Sequence, residues 1–584
     1  MATLSDKTKT LADVLAIVAS ADIAPVRRRD MISAINRLCE MAGRSPSDIP
    51  ADACALRAQL RGVRPAKFGV SAKTFSNQRS LLAAGLQLAG ALDDMGRGFA
   101  RRHPAWAPLL QGIGANRRLA EGLATFANWC AINEVPPSAV TDDAVQRFSI
   151  WLETRTHCPK PRDIARRAPL LWNEAAGTGD GWPKTLLSRI SFRAPRKRLG
   201  WDDLSESFRA DAEAYLASRA DVDLFEEAAT APRRPLAPST LRQQREHLRL
   251  AASVLVEAGS VVADIVSLAD LVKPERFKTI LRHYHGAGNG KPSAFAVGIA
   301  KTLIQAAKHH AGASVERVAE LKALAAKLPA IPFDLTSKNK ALLRQLESEG
   351  LRAKLLFLPE TVLAKAASEK GAPGLPFVEA QIAIAIDVQL ACALRPQNLS
   401  ALHWRRHFVE PDGPRGPLLL HIPAEETKAR RQDLTVEIPA DVARRLRWYR
   451  RCLLPRVGAD PNGFLFVTEK GDRKHQGTLC LQITEVIAKH VGVHMTPHQF
   501  RHFAASVYLE ANPEDHQTAQ AILHHSSAKT TLIYAGSGSR RASRAYAKHL
   551  FGQREKLQLA RPGKKAVSKK AIEPGRRRKE GGAS

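Results

Sequence analysis

Apolar residues recur at three- and four-residue spacing over 11–20, 31–41, 79–92, 119–131, 143–154, 240–257 and 295–310, while strand-like alternation is scarce before about residue 355. That period matches the 3.6-residue turn of an α-helix, so the first two-thirds of the chain is expected to be helical. Pro- and Gly-containing stretches at 175–183, 231–238, 286–292 and 329–333 interrupt the pattern and mark candidate boundaries. The 584 residues leave room for three or four domains of ~150 residues each.

From about 355 the pattern changes. Helix-like segments at 360–371 and 376–392 precede two alternating runs, 417–422 and 434–438, which flank the charged turn EETKARRQD and predict a hairpin. GFLFV at 463–467 reads as another short strand, and helices are expected again at 476–490 and 497–511. Thr496-Pro497 is expected to open the last of these, as a hydroxyl N-cap followed by proline at the first helical position. The fold class predicted is multidomain and mostly α, with a mixed α/β region that is mainly helical and holds a small β-hairpin.

Charge narrows the partner. The 88 Lys and Arg outnumber the 57 Asp and Glu, a formal net charge of +31, which argues for a polyanion such as nucleic acid. Residues 151–200 carry 11 basic and 4 acidic side chains, and residues 551–584 carry 11 and 3. Almost no large apolar residue follows Arg561, so 557–584 is expected to be a disordered basic tail. The stretch RAPRKR at 193–198 reads equally as a solvated linker or a DNA contact. Hydrophobic residues at 44% exclude a wholly disordered chain.

The seven cysteines are widely spaced, with no C-x-x-C pair, so neither a zinc ribbon nor a disulfide framework is expected. Leu11–Ala21 faintly resembles a signal peptide, but Asp13 interrupts it and Asp6 precedes it, and a first amphipathic helix is the better reading. No stretch approaches the ~20 uncharged apolar residues of a membrane span. A cytoplasmic, nucleoid-associated protein without a membrane partner is expected.

A weak internal echo pairs 117–152 with 242–281: a basic apolar-periodic helix, a short acidic linker, then a helix with Arg147-Phe148 or Arg276-Phe277 near its start. Thr74…Gln78-Arg79 and Thr240…Gln244-Arg245 echo each other as well. Chance similarity between Ala-rich helices and two tandem units of one kind both account for these matches.

The chemistry concentrates in 494–536, HMTPHQFRHFAASVYLEANPEDHQTAQAILHHSSAKTTLIYAG, which holds His498, Arg501, His502, His524, His525 and Tyr534. Upstream lie Arg395, in ALRPQNLSALHW, and Lys428, in the hairpin turn. Breaking a phosphodiester needs a nucleophile, stabilisation of the non-bridging oxygens and a proton for the leaving oxygen. A phenol can attack, arginines offer planar donor forks, and histidines move protons near neutral pH. His498 and His502 are four apart, a spacing that also suits zinc, but no glutamate lies between them for metalloprotease chemistry, and His502 reads as a residue that either packs or supports the site's reacting groups from behind. Arg430 and Arg431 share the turn of Lys428, so that turn reads either as a source of a proton or as a phosphate contact.

At these residues the sequence resembles the tyrosine recombinase (phage integrase) family. The family's Arg, hairpin Lys, H-x-x-R, His and Tyr fall on Arg395, Lys428, His498-x-x-Arg501, His525 and Tyr534, with His525 nine residues before Tyr534. The run ILHHSSAKTTLIY is similar to the family's wording, and the resemblance covers about 355–550. Two departures stand out: Asn398 replaces the usual glutamate three residues after the first arginine, and His524 replaces the usual glycine before the second histidine. An asparagine at 398 is still able to hydrogen-bond the arginine.

The resemblance implies a metal- and ATP-independent DNA strand transferase with no cofactor. Tyr534 attacks the scissile phosphate to give a 3′-phosphotyrosine, Arg395, Arg501 and His525 bind the non-bridging oxygens, His498 assists proton removal and Lys428 protonates the leaving 5′-oxygen. It implies double-stranded DNA as partner and a homo- or hetero-tetramer on it, with accessory recombinases or a directionality factor as further partners, in the setting of a mobile element. The organisation expected is a helical region over 1–230 (arm-site, accessory or duplicated core-binding-like), a core-binding domain over 238–330, and a catalytic domain over 355–556. A type IB topoisomerase and an accessory DNA-binding subunit of a multi-recombinase system are the alternatives.

Overall fold

The computed structural model describes residues 10–178, 181–192, 198–221, 235–368, 377–427 and 432–523, together with 533, 546–547 and 549–553. It is multidomain and mostly helical, with one small sheet among the described residues. The chain divides into two compact units, the first made of 1–63 and 77–334 and the second of 64–76 and 335–584. No helix among the described residues is long and apolar enough to cross a membrane.

In the first unit the expected helices form, several with their predicted ends. Leu11–Ser20 starts at Thr10, whose hydroxyl accepts from the Asp13 amide while Asp13 accepts from the Thr10 amide. Two separate apolar cores follow. One gathers an aromatic cluster of Phe126, Phe148 and Trp172 from helices Arg117–Ile132, Asp142–Thr154 and Pro161–Thr178, joined by Trp106 from the start of the short helix Ala107–Gly112. The other gathers Leu248, Phe277, Ile280 and Leu303 from helices Pro238–Glu257, Pro274–Ala287 and Ala294–His309. In each trio the third helix packs on the first two. Phe148 and Phe277, the paired positions of the echo, are both fully buried. Of the RAPRKR stretch only Arg198 is described, and its guanidinium lies 5.5 Å from the centre of the Tyr284 ring.

The second unit is built around helix Phe377–Cys392. Ile382, Ile384, Ile386 and Val388 have no exposed surface, so this helix is apolar on every side, as only a central helix can be. Its polar residues are paired: Gln381 donates to the Tyr449 hydroxyl at 2.9 Å, and Asp387 accepts from Arg445 Nε at 2.5 Å and Nη2 at 2.9 Å. The predicted hairpin forms. Strands β2 (Leu418–Ile422) and β3 (Leu434–Ile438) pair antiparallel, Leu420 opposite Val436, with Leu418, Leu420 and Ile422 turned inward. A two-residue strand β1, Phe408–Val409, adds to the β2 edge.

GFLFV is not a strand of this sheet. Its backbone is spent elsewhere: Leu465 N donates to the Leu402 carbonyl at 2.8 Å and Gly463 O accepts from Trp404 N at 2.8 Å, leaving only isolated bridges at His403–Phe464 and Val467–Arg473. The second unit also includes the short 3-10 helix Pro65–Phe68. Lys354 Nζ donates to the Ala66 carbonyl at 2.9 Å, and a Cβ on Gly492 would lie 2.5 Å from the Lys67 nitrogen.

Candidate active site

The central helix ends at Cys392, and the chain then turns through Ala393, whose φ of +45° is left-handed. Alanine there costs about 1–2 kcal/mol, so the surroundings must hold the turn. Two side chains do: Gln389 Nε2 donates to the Leu394 carbonyl at 3.2 Å, and Arg501 Nη1 donates to the Ala393 carbonyl at 3.0 Å. Arg395 follows as the N-cap of the short helix Pro396–Ala401, with Pro396 at its first position. Half-burial pushes the Arg395 guanidinium below its ordinary pKa. A cation held where burial opposes its charge gains from a bound anion.

Arg501 sits on helix Gln499–Ala511, only 3% exposed. Its other terminal nitrogen, Nη2, donates to the carbonyl of Leu523, at the end of helix His516–Ile522. The guanidinium thereby bridges the Arg395 turn and the residue immediately before His524-His525.

His498 is exposed at the N-terminus of the Arg501 helix, and its ring meets His502 edge-on, centroids 5.5 Å apart. The expected N-cap is corrected here. The helix begins at Gln499 rather than Pro497, and the Thr496 hydroxyl donates to Gln499 Oε1 at 3.1 Å instead of capping a helix amide. Gln499 Oε1 also accepts from Thr496 N at 2.9 Å, so the glutamine side chain holds Thr496 from within the helix, and Pro497 and His498 form the turn before it.

The remaining Gln499 amide donates to Asn339 Oδ1 at 2.9 Å, and Asn339 Nδ2 lies 2.9 Å from His502 Nε2. With Asn339 Oδ1 accepting, its Nδ2 must donate, so His502 Nε2 is an acceptor and the ring is neutral. Burial first, then His498 and Arg501, pushes this imidazole down to about 4. His502 is thus a hydrogen-bonded neighbour of the site. Sequence reasoning missed Asn339 and Gln499; the Thr-x-x-Gln spacing was a capping-box signal for the second, and nothing in the sequence pointed to the first.

Among the described residues Asn398 makes no hydrogen bond to an arginine. Its Nδ2 donates to the Glu426 carbonyl at 3.1 Å, at the base of the hairpin turn. Lys428, His525 and Tyr534 lie outside the described residues, as does the tail 557–584. Among the described residues no cluster of three metal-ligating side chains occurs.

Residues 376–540 match the Phage integrase family. Arg395, Lys428, His498, Arg501, His525 and Tyr534 all fall within that span. The chain is 38% identical over 74 residues to a Tyrosine recombinase XerC of Pseudomonas fluorescens, 13% of this chain and 24% of that protein. It is 31% identical over 87 residues to the XerC of Pseudomonas entomophila, 15% of this chain and 28% of that protein. The chain therefore spans about a quarter of the length of the curated relatives it matches. Among solved structures it is similar to XerH site-specific recombinase bound to difH substrate, in a pre-cleavage complex, with a TM-score of 0.33, 16% identity, 51% of this chain and 76% of that one. It is also similar to Lambda Integrase (residues 75-356) bound to DNA, with a TM-score of 0.33, 14% identity, 56% of this chain and 96% of that one.

Proposed function

We propose that the chain, which over residues 376–540 belongs to the phage integrase family of tyrosine recombinases, is a site-specific recombinase that cuts and rejoins DNA through a phosphotyrosine. The observation that carries this reading is the hydrogen bond from Arg501 to the Ala393 carbonyl, which ties the second arginine to the turn presenting the first. Two guanidiniums anchored on one framework suit the non-bridging oxygens of a single phosphate.

In the cleavage step Tyr534 Oη forms a bond to phosphorus and the bond from phosphorus to the 5′-oxygen breaks. The phenolic proton leaves with the help of His498, and Lys428 gives a proton to the departing 5′-oxygen. Arg395, Arg501 and His525 bind the non-bridging oxygens. The 5′-hydroxyl of a partner strand then attacks the phosphotyrosine and restores a phosphodiester, so the linkage energy is kept and neither ATP nor metal enters. Double-stranded DNA is the partner, and strand exchange calls for a tetramer. The setting is a mobile element. The two helical trios in the first unit, with Phe148 and Phe277 at like positions, support a duplicated core-binding arrangement over 1–230 and 238–330.

Trapping the covalent adduct on nicked duplexes tests the reading. Wild-type protein is expected to form a protein–DNA adduct at a defined sequence, and Tyr534→Phe none. Adduct without sequence preference, together with relaxation of plasmid, would instead indicate a topoisomerase. DNA binding without adduct would indicate an accessory subunit.

A further inference from the structure

We propose that Asn398, Glu426 and His407 are positioning residues for the proton transfer to the leaving 5′-oxygen, fixing the base of the Lys428 hairpin to the arginine turn. This rests on the reading of Lys428 as the acid. The residues involved are all described, and they join three elements. Asn398, on the helix that Arg395 caps, donates through Nδ2 to the Glu426 carbonyl at 3.1 Å. Glu426 ends the 3-10 helix Ala424–Glu426, which is separated from β2 by Pro423 alone, and it precedes Lys428 by two residues.

The Glu426 carboxylate is held in turn. Its Oε2 lies 3.2 Å from His407 Nε2, and its Oε1 is 2.5 Å from Arg406 Nη2, an ion pair without hydrogen-bond alignment. His407 is 2% exposed and its Nδ1 accepts from the His403 amide at 3.0 Å. An imidazole with an accepting Nδ1 carries its proton on Nε2, so the ring donates to Glu426 and is fixed at both nitrogens. The two flanks of the hairpin are joined below the turn as well, by Ala424 N to Asp433 Oδ1 at 2.8 Å. Six residues, 427–432, separate the pinned Glu426 and Asp433.

The network also accounts for the departure at 398. A glutamate side chain there would set a carboxylate oxygen against the Glu426 carbonyl, acceptor against acceptor, whereas the asparagine amide supplies the donor this contact needs. The substitution joins the arginine turn to the described base of the hairpin, two residues before Lys428 in the chain.

The leaving atom itself supplies the test. A bridging sulfur departs as a thiolate, whose conjugate acid has a pKa near ~8.5, and needs no proton from the enzyme. The probes are duplexes of the sequence mapped by adduct trapping, made with a 5′-bridging oxygen or a 5′-bridging sulfur at the scissile phosphate. Asn398→Ala and Glu426→Gln are expected to slow cleavage of the oxygen duplex on the order of 10–10²-fold and to leave the sulfur duplex within about threefold of wild type, with DNA affinity and melting temperature unchanged. Lys428→Ala should behave the same way, and Arg501→Ala should be slow on both. Equal slowing of both duplexes by the Asn398 and Glu426 variants, or a wild-type rate on oxygen, overturns the proposal alone. A Lys428→Ala variant that sulfur does not rescue removes Lys428 as the acid, and the proposal with it. Wild-type protein that binds DNA but yields no adduct in the mapping step itself removes the recombinase reading beneath both.

Discussion

Arg501 Nη1 donates to the Ala393 carbonyl at 3.0 Å, two residues ahead of Arg395. The first arginine sits at the end of the most deeply buried helix of its unit, and the second is fastened to the turn that ends it. A left-handed alanine, which by itself disfavours the turn, is held by the guanidinium that the turn helps to aim. Preorganisation of this kind means that little rearrangement is needed when a phosphate arrives.

Arg501→Lys tests the bridging geometry. A lysine keeps the charge but has one nitrogen, which cannot serve the Ala393 and Leu523 carbonyls and a phosphate together. Adduct formation in a single turnover is expected to fall on the order of 10²–10³-fold, the usual loss when a fixed donor to a developing charge is removed. A lysine variant that cleaves at the wild-type rate would contradict the assignment.

The pH dependence of stability should carry the mark of His502. Its folded-state pKa is depressed to about 4, against an ordinary value near ~6.5 in the unfolded chain. Between those values the unfolded chain binds a proton that the folded one refuses, so the stabilisation is whole above ~6.5 and drains away as pH falls toward 4. His502→Gln keeps an acceptor for Asn339 and does not titrate. Its urea midpoint should therefore fall less steeply than wild type between pH 7 and pH 5. His157, also depressed to about 4, contributes equally to both proteins and cancels from the difference. Parallel profiles would exclude His502 as the titrating group.

Patterns confined to neighbouring residues were legible in the sequence. The alternation of Leu418, Leu420 and Ile422 foretold a strand, and the 3.6 period over 11–20 foretold a helix with the observed ends. H-x-x-R placed His498 and Arg501 on one helix start. Contacts between distant segments were not legible. GFLFV looks like a strand, but its partners are the carbonyl of Leu402 and the amide of Trp404, which no local pattern encodes. Strand β1 has two residues, too few for any period. Asn339 and the segment around Lys67 reach the second unit from far upstream, and Asn398, read as a partner for an arginine, serves Glu426 because the hairpin base folds against its helix.

Gly492 should be intolerant of any side chain. Its φ of +87° disfavours L residues, and an added Cβ would stand 2.5 Å from a backbone nitrogen, that of Lys67, which cannot swing aside. The backbone penalty alone is about 1–2 kcal/mol, and the clash adds to it. Gly492→Ala is expected to lower the urea midpoint of the second unit and to expose the Pro65–Phe68 segment to protease. A variant with a wild-type midpoint would show that this segment does not pack there.

The Asp387–Arg445 pair offers the largest stability effect. Asp387 is 4% exposed on the central helix, and burial raises its carboxyl pKa although Arg445 grips both oxygens. Arg445 also reaches the exposed Glu360 at 3.1 Å. Arg445→Met strands a carboxylate in the core and should cost about 3–5 kcal/mol, whereas Asp387→Leu with Arg445→Met removes both charges and replaces them with apolar volume. The double variant should recover most of the loss, because attraction between the pair does little more than offset the cost of desolvating it. Glu360 is left facing water in either case and adds little to the difference. A chemical-denaturation cycle over the wild type, both single variants and the double reads the coupling directly. A double variant as unstable as Arg445→Met would mean that the pair contributes net stability beyond its own desolvation, and that the central helix depends on the charge itself.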